Sequence, residues 1–297
     1  MAAGVQAVNV ARGFLLTLFA AWLSAPVLAR ALREDFGEQA LAQEMARRPV
    51  VLLGEVHDNA AQHATRAAAL RRLLMAGARP AIAFEQFDRE RQADIDRARR
   101  EAPPAGRTLA EHVIEQARPA RAGWDWNLYR PFIELALETD LPIVAANLSR
   151  AEAARVASQG FAAVFDEATR ARFALDALPP PLLAAHERAV DDGHCNRMPA
   201  DSLPAMARAQ IARDLALAQA IRAHFARGVV LLTGNGHARN DIGIPFFLSE
   251  AERAQVIAIG LLEGTGPEAE GARHFDVAFS TPVQAREDPC ATIPLRR

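Results

Sequence analysis

Five short apolar runs, separated by long helical stretches, constrain this chain more than any other feature. They lie at residues 49–53, 81–84, 143–146, 229–233 and 256–260. A strand that is apolar at every position must be covered on both faces, as parallel strands joined by helical crossovers are. The expected fold class is therefore α/β, a mostly parallel sheet flanked by helices. The longest gaps demand helical excursions, at about 88–140 and 150–227, forming a second lobe on a single domain of residues 30–297. One helix follows the first strand directly, from Asn59 to Met75. A second places Leu203, Met206, Ile211, Leu215 and Ile221 on one face, with Asp201 or Ser202 as cap, Pro204 in the first turn and Gly228 past the end. The segments 102–106 and 179–181 read as turns.

With 51% hydrophobic and 24% charged residues, the 297-residue chain has the composition of a folded core rather than a disordered one. Its net charge of −2 argues against nucleic acid as a partner. The N-terminus has the parts of a secretory leader. Arg12 precedes an apolar run, Ser24-Ala25-Pro26 breaks it, and Val27-Leu28-Ala29 suits cleavage before Arg30. The uncharged run from Gly13 to Ala29 is marginal for a membrane span. The expectation is a leader at 1–29 and a soluble periplasmic or exported chain, touching the membrane only if the leader is retained. No cysteine lies near the cleavage point, so a lipid anchor is not expected. Export would place Cys195 and Cys290 in an oxidising compartment. A disulfide tying the tail to the body is the leading reading, with thiol ligation or free thiols as alternatives.

Ligands of open parallel sheets bind outside the carboxyl ends of the strands. Those ends carry Glu55, His57, Asp58 and His63 after the first run, and Glu85 after the second. Asn147 follows the third, and Asn235, His237, Arg239 and Asp241 follow the fourth. Histidine with carboxylate at convergent ends is what a metal site or an acid–base pair requires. His57, His237, Glu55 and Glu85 are the candidate metal ligands. Asp58 or Asn59 could equally be a helix cap, and Gly234-Asn235-Gly236 a tight turn with positive φ. No Walker phosphate loop and no Gly-x-Ser-x-Gly elbow is present.

A second candidate set lies in the helical stretches. Trp124, Trp126 and Tyr129 group two of the three tryptophans with the one tyrosine. The plain reading is a helix start with aromatic packing; the functional one is a phenolate for ferric iron, including haem iron. His194, Arg197 and Met198 offer imidazole, guanidinium and thioether near an apolar surface.

The ordered pieces Leu53-Gly54-Glu55-Val56-His57-Asp58, Phe84-Glu85-Gln86-Phe87 and Trp126-Asn127-Leu128-Tyr129-Arg130-Pro131 resemble one known family. So do residues 142–147, His194-Cys195, the 210–214 helix and residues 234–241. The chain resembles the ChaN-like haem-binding (lipo)proteins of the Tiki/TraB superfamily. That resemblance implies an α/β body, haem as cofactor and partner, and a homodimer sharing paired haems. It implies a tyrosine ligand, for which Tyr129 is the available residue; Trp126, His194, Arg197 and Met198 are the further haem contacts that the residues themselves offer. The wider superfamily also contains metal-dependent proteases with a Gly-x-x-His motif. On that alternative, Zn or Mn would sit on the strand-end histidines, and Glu55 or Glu85 would act as general base of a hydrolase. A non-catalytic adaptor is the third reading.

Overall fold

The computed structural model describes residues 32–118, 123–264, 267–288 and 290–291, together with Met1. The expected leader lies, beyond Met1, outside the described residues. The first half of the chain runs β1 (Leu32–Arg33), α1 (Glu38–Met45), β2 (Val50–Leu53), α2 (Ala60–Met75) and β3 (Ala81–Asp88). It continues with α3 (Gln92–Ala98), α4 (Leu109–Ala117), α5 (Trp126–Glu138) and β4 (Ile143–Asn147). Next come α6 (Arg150–Gln159), α7 (Glu167–Arg172), α8 (Pro180–Gly193) and α9 (Leu203–Arg222). The remainder is β5 (Val229–Leu232), α10 (Asn235–Ala238), α11 (Glu250–Arg253), β6 (Val256–Glu263) and β7 (Val277–Thr281).

All strand pairs are parallel, in the order β1-β7-β6-β2-β5-β3-β4. This order decides which face each helix covers. From β1 to β4 the chain moves across the sheet in one direction, and from β4 to β7 it moves back. Because parallel crossovers are right-handed, reversing direction moves the connecting helices to the opposite face. Accordingly Leu41 of α1, Leu70 of α2, Ile95 of α3, Val113 of α4 and Phe132 of α5 pack with Leu53 and Phe84. Val156 of α6, Leu182 of α8 and Leu215 of α9 pack with Leu52 and Ala83 on the other side. Each such buried side chain contributes roughly 1.5–3 kcal/mol.

The five expected strands are present, and two more complete the sheet. β3 continues beyond its apolar run to Asp88, so Glu85 and Gln86 belong to a strand rather than to the loop after it. Asn59 caps α2, its side chain accepting from the Gln62 N–H at 3.0 Å. Neither Asp201 nor Ser202 caps α9 through its side chain. Pro180 and Pro181 open α8 rather than forming a turn, since proline fits the first helical turn where its missing N–H costs nothing. Gly234 has φ −66° and opens the short α10, so the positive-φ turn expected there does not form. Among the described residues no helix is long and apolar enough to cross a membrane.

Candidate functional site

β2 and β5 lie side by side, and their outgoing connections leave to opposite faces of the sheet. The crevice beyond their carboxyl ends is a topological switch point, the usual ligand position in such sheets. Gly54, directly after β2, has no room for a side chain. A Cβ there would collide with Asn235 Oδ1 and stand 2.8 Å from the Ile259 carbonyl. The absent side chain lets Asn235 lie across the end of β6. Its amide donates to the Leu261 carbonyl at 2.6 Å, and its Oδ1 accepts from the Leu261 N–H at 3.1 Å. Asn235 is thereby committed to holding strand ends together.

Glu55 is the hub of the crevice. Its carboxylate faces Arg66 of α2 in a fully buried ion pair. Arg66 also donates to the Leu53 carbonyl at 2.9 Å and lies over the Phe132 ring, 5.4 Å from its centroid. Burial lowers the Arg66 pKa to about 10, which leaves the guanidinium charged at neutral pH. The Tyr129 hydroxyl donates to Glu55 Oε1 at 2.5 Å, and His57 Nδ1 lies 3.0 Å from the same oxygen. Burial pushes the Tyr129 phenol well above its ordinary value, so the group stays protonated. An ionised carboxylate only accepts, so the His57 proton sits on Nδ1 and the lone pair on Nε2. His63 Nε2 reaches the His57 carbonyl at 3.0 Å. Burial lowers the His63 pKa to about 4 and keeps the ring neutral.

His57 is the exposed member of this network, with 47% of its side chain open to solvent. Trp124 meets its ring edge-on at a centroid distance of 4.8 Å. On another side the ring packs directly against the Gly234 backbone, since a Cβ there would stand 2.7 Å from His57 Cε1 and 2.9 Å from Nε2.

A second cluster gathers around Glu85 of β3 and the connection after β5. Glu85 Oε2 accepts from the Thr233 hydroxyl at 2.7 Å and the Gly234 N–H at 2.8 Å. His237 Nε2 lies 3.6 Å from Glu85 Oε1, and its Nδ1 lies 2.7 Å from Asp214 Oδ1. Behind Asp214, His186 donates to the Ile242 carbonyl at 2.9 Å. Asn147 donates to the Glu85 carbonyl at 3.0 Å and accepts from Arg213 at 3.0 Å. Burial opposes the His237 charge, yet Glu85 and Asp214 raise its pKa to about 9. Burial likewise opposes Glu85 ionisation, but the His237 charge beside it and its two donors hold it at about 2.

These shifts fix a pH dependence. The His237 pKa is raised above 6.5, so its stabilisation is complete below 6.5 and is lost as pH rises through about 9. His63 is depressed, so the unfolded chain protonates first and stability falls as pH drops from 6.5 towards 4. Glu85 adds a further loss as pH drops from 4.5 towards 2. Thermal unfolding is expected to give a maximum near neutrality with a limb on each side. His237→Gln should flatten the alkaline limb and His63→Gln the upper part of the acid one. An alkaline limb of unchanged steepness in His237→Gln would contradict this assignment.

Among the described residues, no group of three or more His, Cys, Asp or Glu is placed to hold a metal ion. The expected ligands form two separate pairs, Glu55 with His57 and Glu85 with His237, and N–H and O–H donors occupy both carboxylates. The Zn or Mn reading therefore does not fit these residues, and no step through a metal follows from them. Asp58 pairs instead with Arg286 at 2.8 Å, on the surface. Arg239 and Asp241 pair with each other at 2.6 Å. Trp126 stacks on Phe87 at 4.9 Å.

The expected haem contacts fall in two places. Tyr129 and Trp126 belong to α5, on one face of the sheet. His194, Arg197 and Met198 follow α8, which covers the other face. There His194 Nδ1 donates to the Val190 carbonyl at 2.7 Å, and Arg197 donates to the Cys290 carbonyl. Cys195 and Cys290 form the expected disulfide. A groove of about 570 Å3 between β4 and α9, lined by Gln92, Val144 and Ala216 among others, shares no residue with either cluster.

Sequence reasoning missed Arg66, His186 and Asp214 as members of the site, and it placed Trp124 with the helical set rather than beside His57. Arg66 stands three residues after His63, on the same face of α2. Asp214 is a lone acid in an Ala- and Leu-rich stretch of α9, which was the available signal.

A family model described as "Haem-binding uptake, Tiki superfamily, ChaN" matches residues 41–248, a span that contains both clusters. Among solved structures, ChaN of Campylobacter jejuni, described with cofacial heme binding, is similar over 81% of this chain and 90% of that one. Its sequence identity is 18% and its TM-score 0.63. A mutant of erythromycin esterase EreC is similar over 76% of this chain and 72% of that one, at 14% identity and TM-score 0.43. No curated protein matches the chain. The family match spans most of the sequence, and the chain belongs to the ChaN haem-binding uptake family of the Tiki superfamily.

Proposed function

We propose that this protein is an exported haem-binding protein serving haem or iron acquisition and handling. The observation that carries this reading is the family match across residues 41–248, which takes in every strand-end residue of the crevice. The disulfide supports export, because such bonds persist in oxidising compartments. A half-exposed imidazole beside an aromatic side chain at the switch point supports a planar, iron-bearing ligand. Bound haem would supply an iron centre with axial positions open to protein donors.

His57 is half-exposed at the crevice, which suits haem covered by a second copy of the chain. The related Campylobacter protein is described with cofacial haem, and paired haems between two copies are the corresponding proposal here. Tyr129 would have to leave Glu55 and Arg66 to reach iron, since its side chain is fully buried. His194, Arg197 and Met198 would contact haem only if it reached the α8 side of the sheet.

The test is a titration of the oxidised chain, residues 30–297, with ferric haemin, followed across the Soret region. A saturable shift near one haem per chain is expected, with dimerisation on sizing if haems pair. A linear, unsaturable shift identical to that of haemin with serum-free buffer alone would overturn the reading.

A further inference from the structure

We infer that the amino end of the sheet, opposite the crevice, is a docking surface for a bilayer of anionic phospholipid, held by Arg48, Arg79 and Arg227. The inference does not depend on what the crevice binds. It begins from strand register. Val50 of β2 and Ala81 of β3 both lie opposite Val229 of β5. Each of the three arginines stands two residues before one of these positions. Neighbouring strands are about 5 Å apart, so the register gathers three guanidinium-bearing residues at one end of the sheet. The ladder runs on into the residues between. The Val229 N–H donates to the Pro49 carbonyl at 2.9 Å, and the Ala81 N–H to the Gly228 carbonyl at 2.9 Å. Arg227 donates to the Arg79 carbonyl at 3.3 Å.

Like charges gathered in one place repel unless something neutralises them. Arginines close by in sequence are neutralised: Arg47 pairs with Glu44 at 2.6 Å, Arg71 with Glu138 at 3.5 Å, and Arg72 with Glu38. Among the described residues, Arg48, Arg79 and Arg227 pair with no carboxylate. Arg79 donates to the Leu74 and Ala78 carbonyls at the end of α2, which leaves its charge uncompensated. All three line a groove of about 460 Å3 that has no acidic residue in its walls and an apolar floor that includes Met45, Leu73 and Pro80. Met75, between the lining residues Leu73 and Ala76, is 81% exposed. The net charge of −2 averages over the whole surface and hides this end. Guanidinium groups donate bidentately to phosphate, and an apolar side chain among cations enters the headgroup boundary. A small free anion would use the arginines but not the apolar floor or Met75. Docking by this end turns the carboxyl ends of the strands, and with them the crevice, away from the bilayer.

The experiment is co-sedimentation with vesicles of mixed phosphatidylglycerol and phosphatidylcholine, and with vesicles of phosphatidylcholine alone. It uses the oxidised chain of residues 30–297, which holds every element of the fold without the apolar run of 13–29. Wild type is expected to bind the anionic vesicles and not the neutral ones, and to be released as salt shortens the Debye length. Arg48→Ala, Arg79→Ala and Arg227→Ala should each weaken binding about fivefold, and the triple variant roughly 100-fold. Arg71→Ala, which removes a neutralised charge, should change it little. Met75→Ser should weaken binding and leave its salt dependence unchanged. Circular dichroism melts check each variant; because Arg79 also holds the end of α2, Arg48→Ala and Arg227→Ala carry the test if Arg79→Ala melts early. A wild type that ignores anionic vesicles, or a triple variant that binds them as tightly as wild type, overturns the inference. Arginine-dependent binding to soluble polyglutamate with no binding to vesicles would assign the patch to an acidic protein and overturn it as well.

Discussion

Arg66→Ala is expected to destabilise the protein by about 3–5 kcal/mol, the usual loss when one partner of a buried ion pair is removed. For a chain of this size that corresponds to a fall in Tm of roughly 6–20 °C. The cause lies in what remains. Glu55 would keep a carboxylate, 2% exposed, with no cation against it. The Leu53 carbonyl, at the very end of β2, would keep the Thr233 N–H but lose its second donor, and Phe132 would lose the guanidinium over its ring. Tyr129 and His57 would still donate to Glu55, but two hydrogen bonds do not replace a full positive charge in a dry site. The double variant Glu55→Gln with Arg66→Met removes both charges and keeps an acceptor for Tyr129. It should be less destabilised than Arg66→Ala alone. Circular dichroism melts of the three proteins measure this directly. An Arg66→Ala melt within about 2 °C of wild type would mean that the pair contributes little to stability.

The same network shows what the sequence could and could not reveal. The sheet was legible because Val50–Leu53 and Val229–Leu232 are apolar at every position, which only two covered faces explain. β1 escaped because two residues carry no period. β7 escaped because only Val277, Ala278 and Phe279 are apolar before Ser280 and Thr281, too short a run to mark a strand. The strand-end rule found Glu55, His57, His63, Glu85, Asn147 and His237 with no knowledge of their partners. Pairing was the hidden part. Glu55 binds a tyrosine 74 positions away, and nothing local says that Tyr129 points inward. That Tyr129 and His194 lie on opposite sides of the sheet was hidden for a topological reason. Strand order, not helix sequence, sends α5 and α8 to opposite faces. The metal reading failed for a chemical one, because the carboxylates that could have bound an ion already hold Arg66, Thr233 and the Gly234 N–H.

Breaking the Cys195–Cys290 disulfide is expected to destabilise the protein by about 2–5 kcal/mol. The bond closes a loop with a sequence separation of 95, and cross-linking so long a loop chiefly restricts the unfolded chain. The loss should therefore appear even though the native tail has other anchors. The Asn59 amide donates to the Pro282 carbonyl at 2.9 Å. Arg286 holds Asp58 at 2.8 Å and Glu263 at 2.7 Å. The Arg286 pairs are solvent-screened, and Arg286→Ala should cost less than about 1 kcal/mol. Cys195→Ser, Cys290→Ser and the double variant should melt alike, each matching wild type under reductant. If Arg286→Ala lowered Tm as much as Cys195→Ser, the tail contacts in the folded state would be the stabilising element, and the unfolded-state account would fail. Because the tail passes Asp58, next to His57, its attachment also bears on the proposed haem face. A chain folded under reducing conditions should show weaker protection of residues 282–291 against proteolysis than the oxidised chain. That difference would tie the stability of the crevice rim to the disulfide itself.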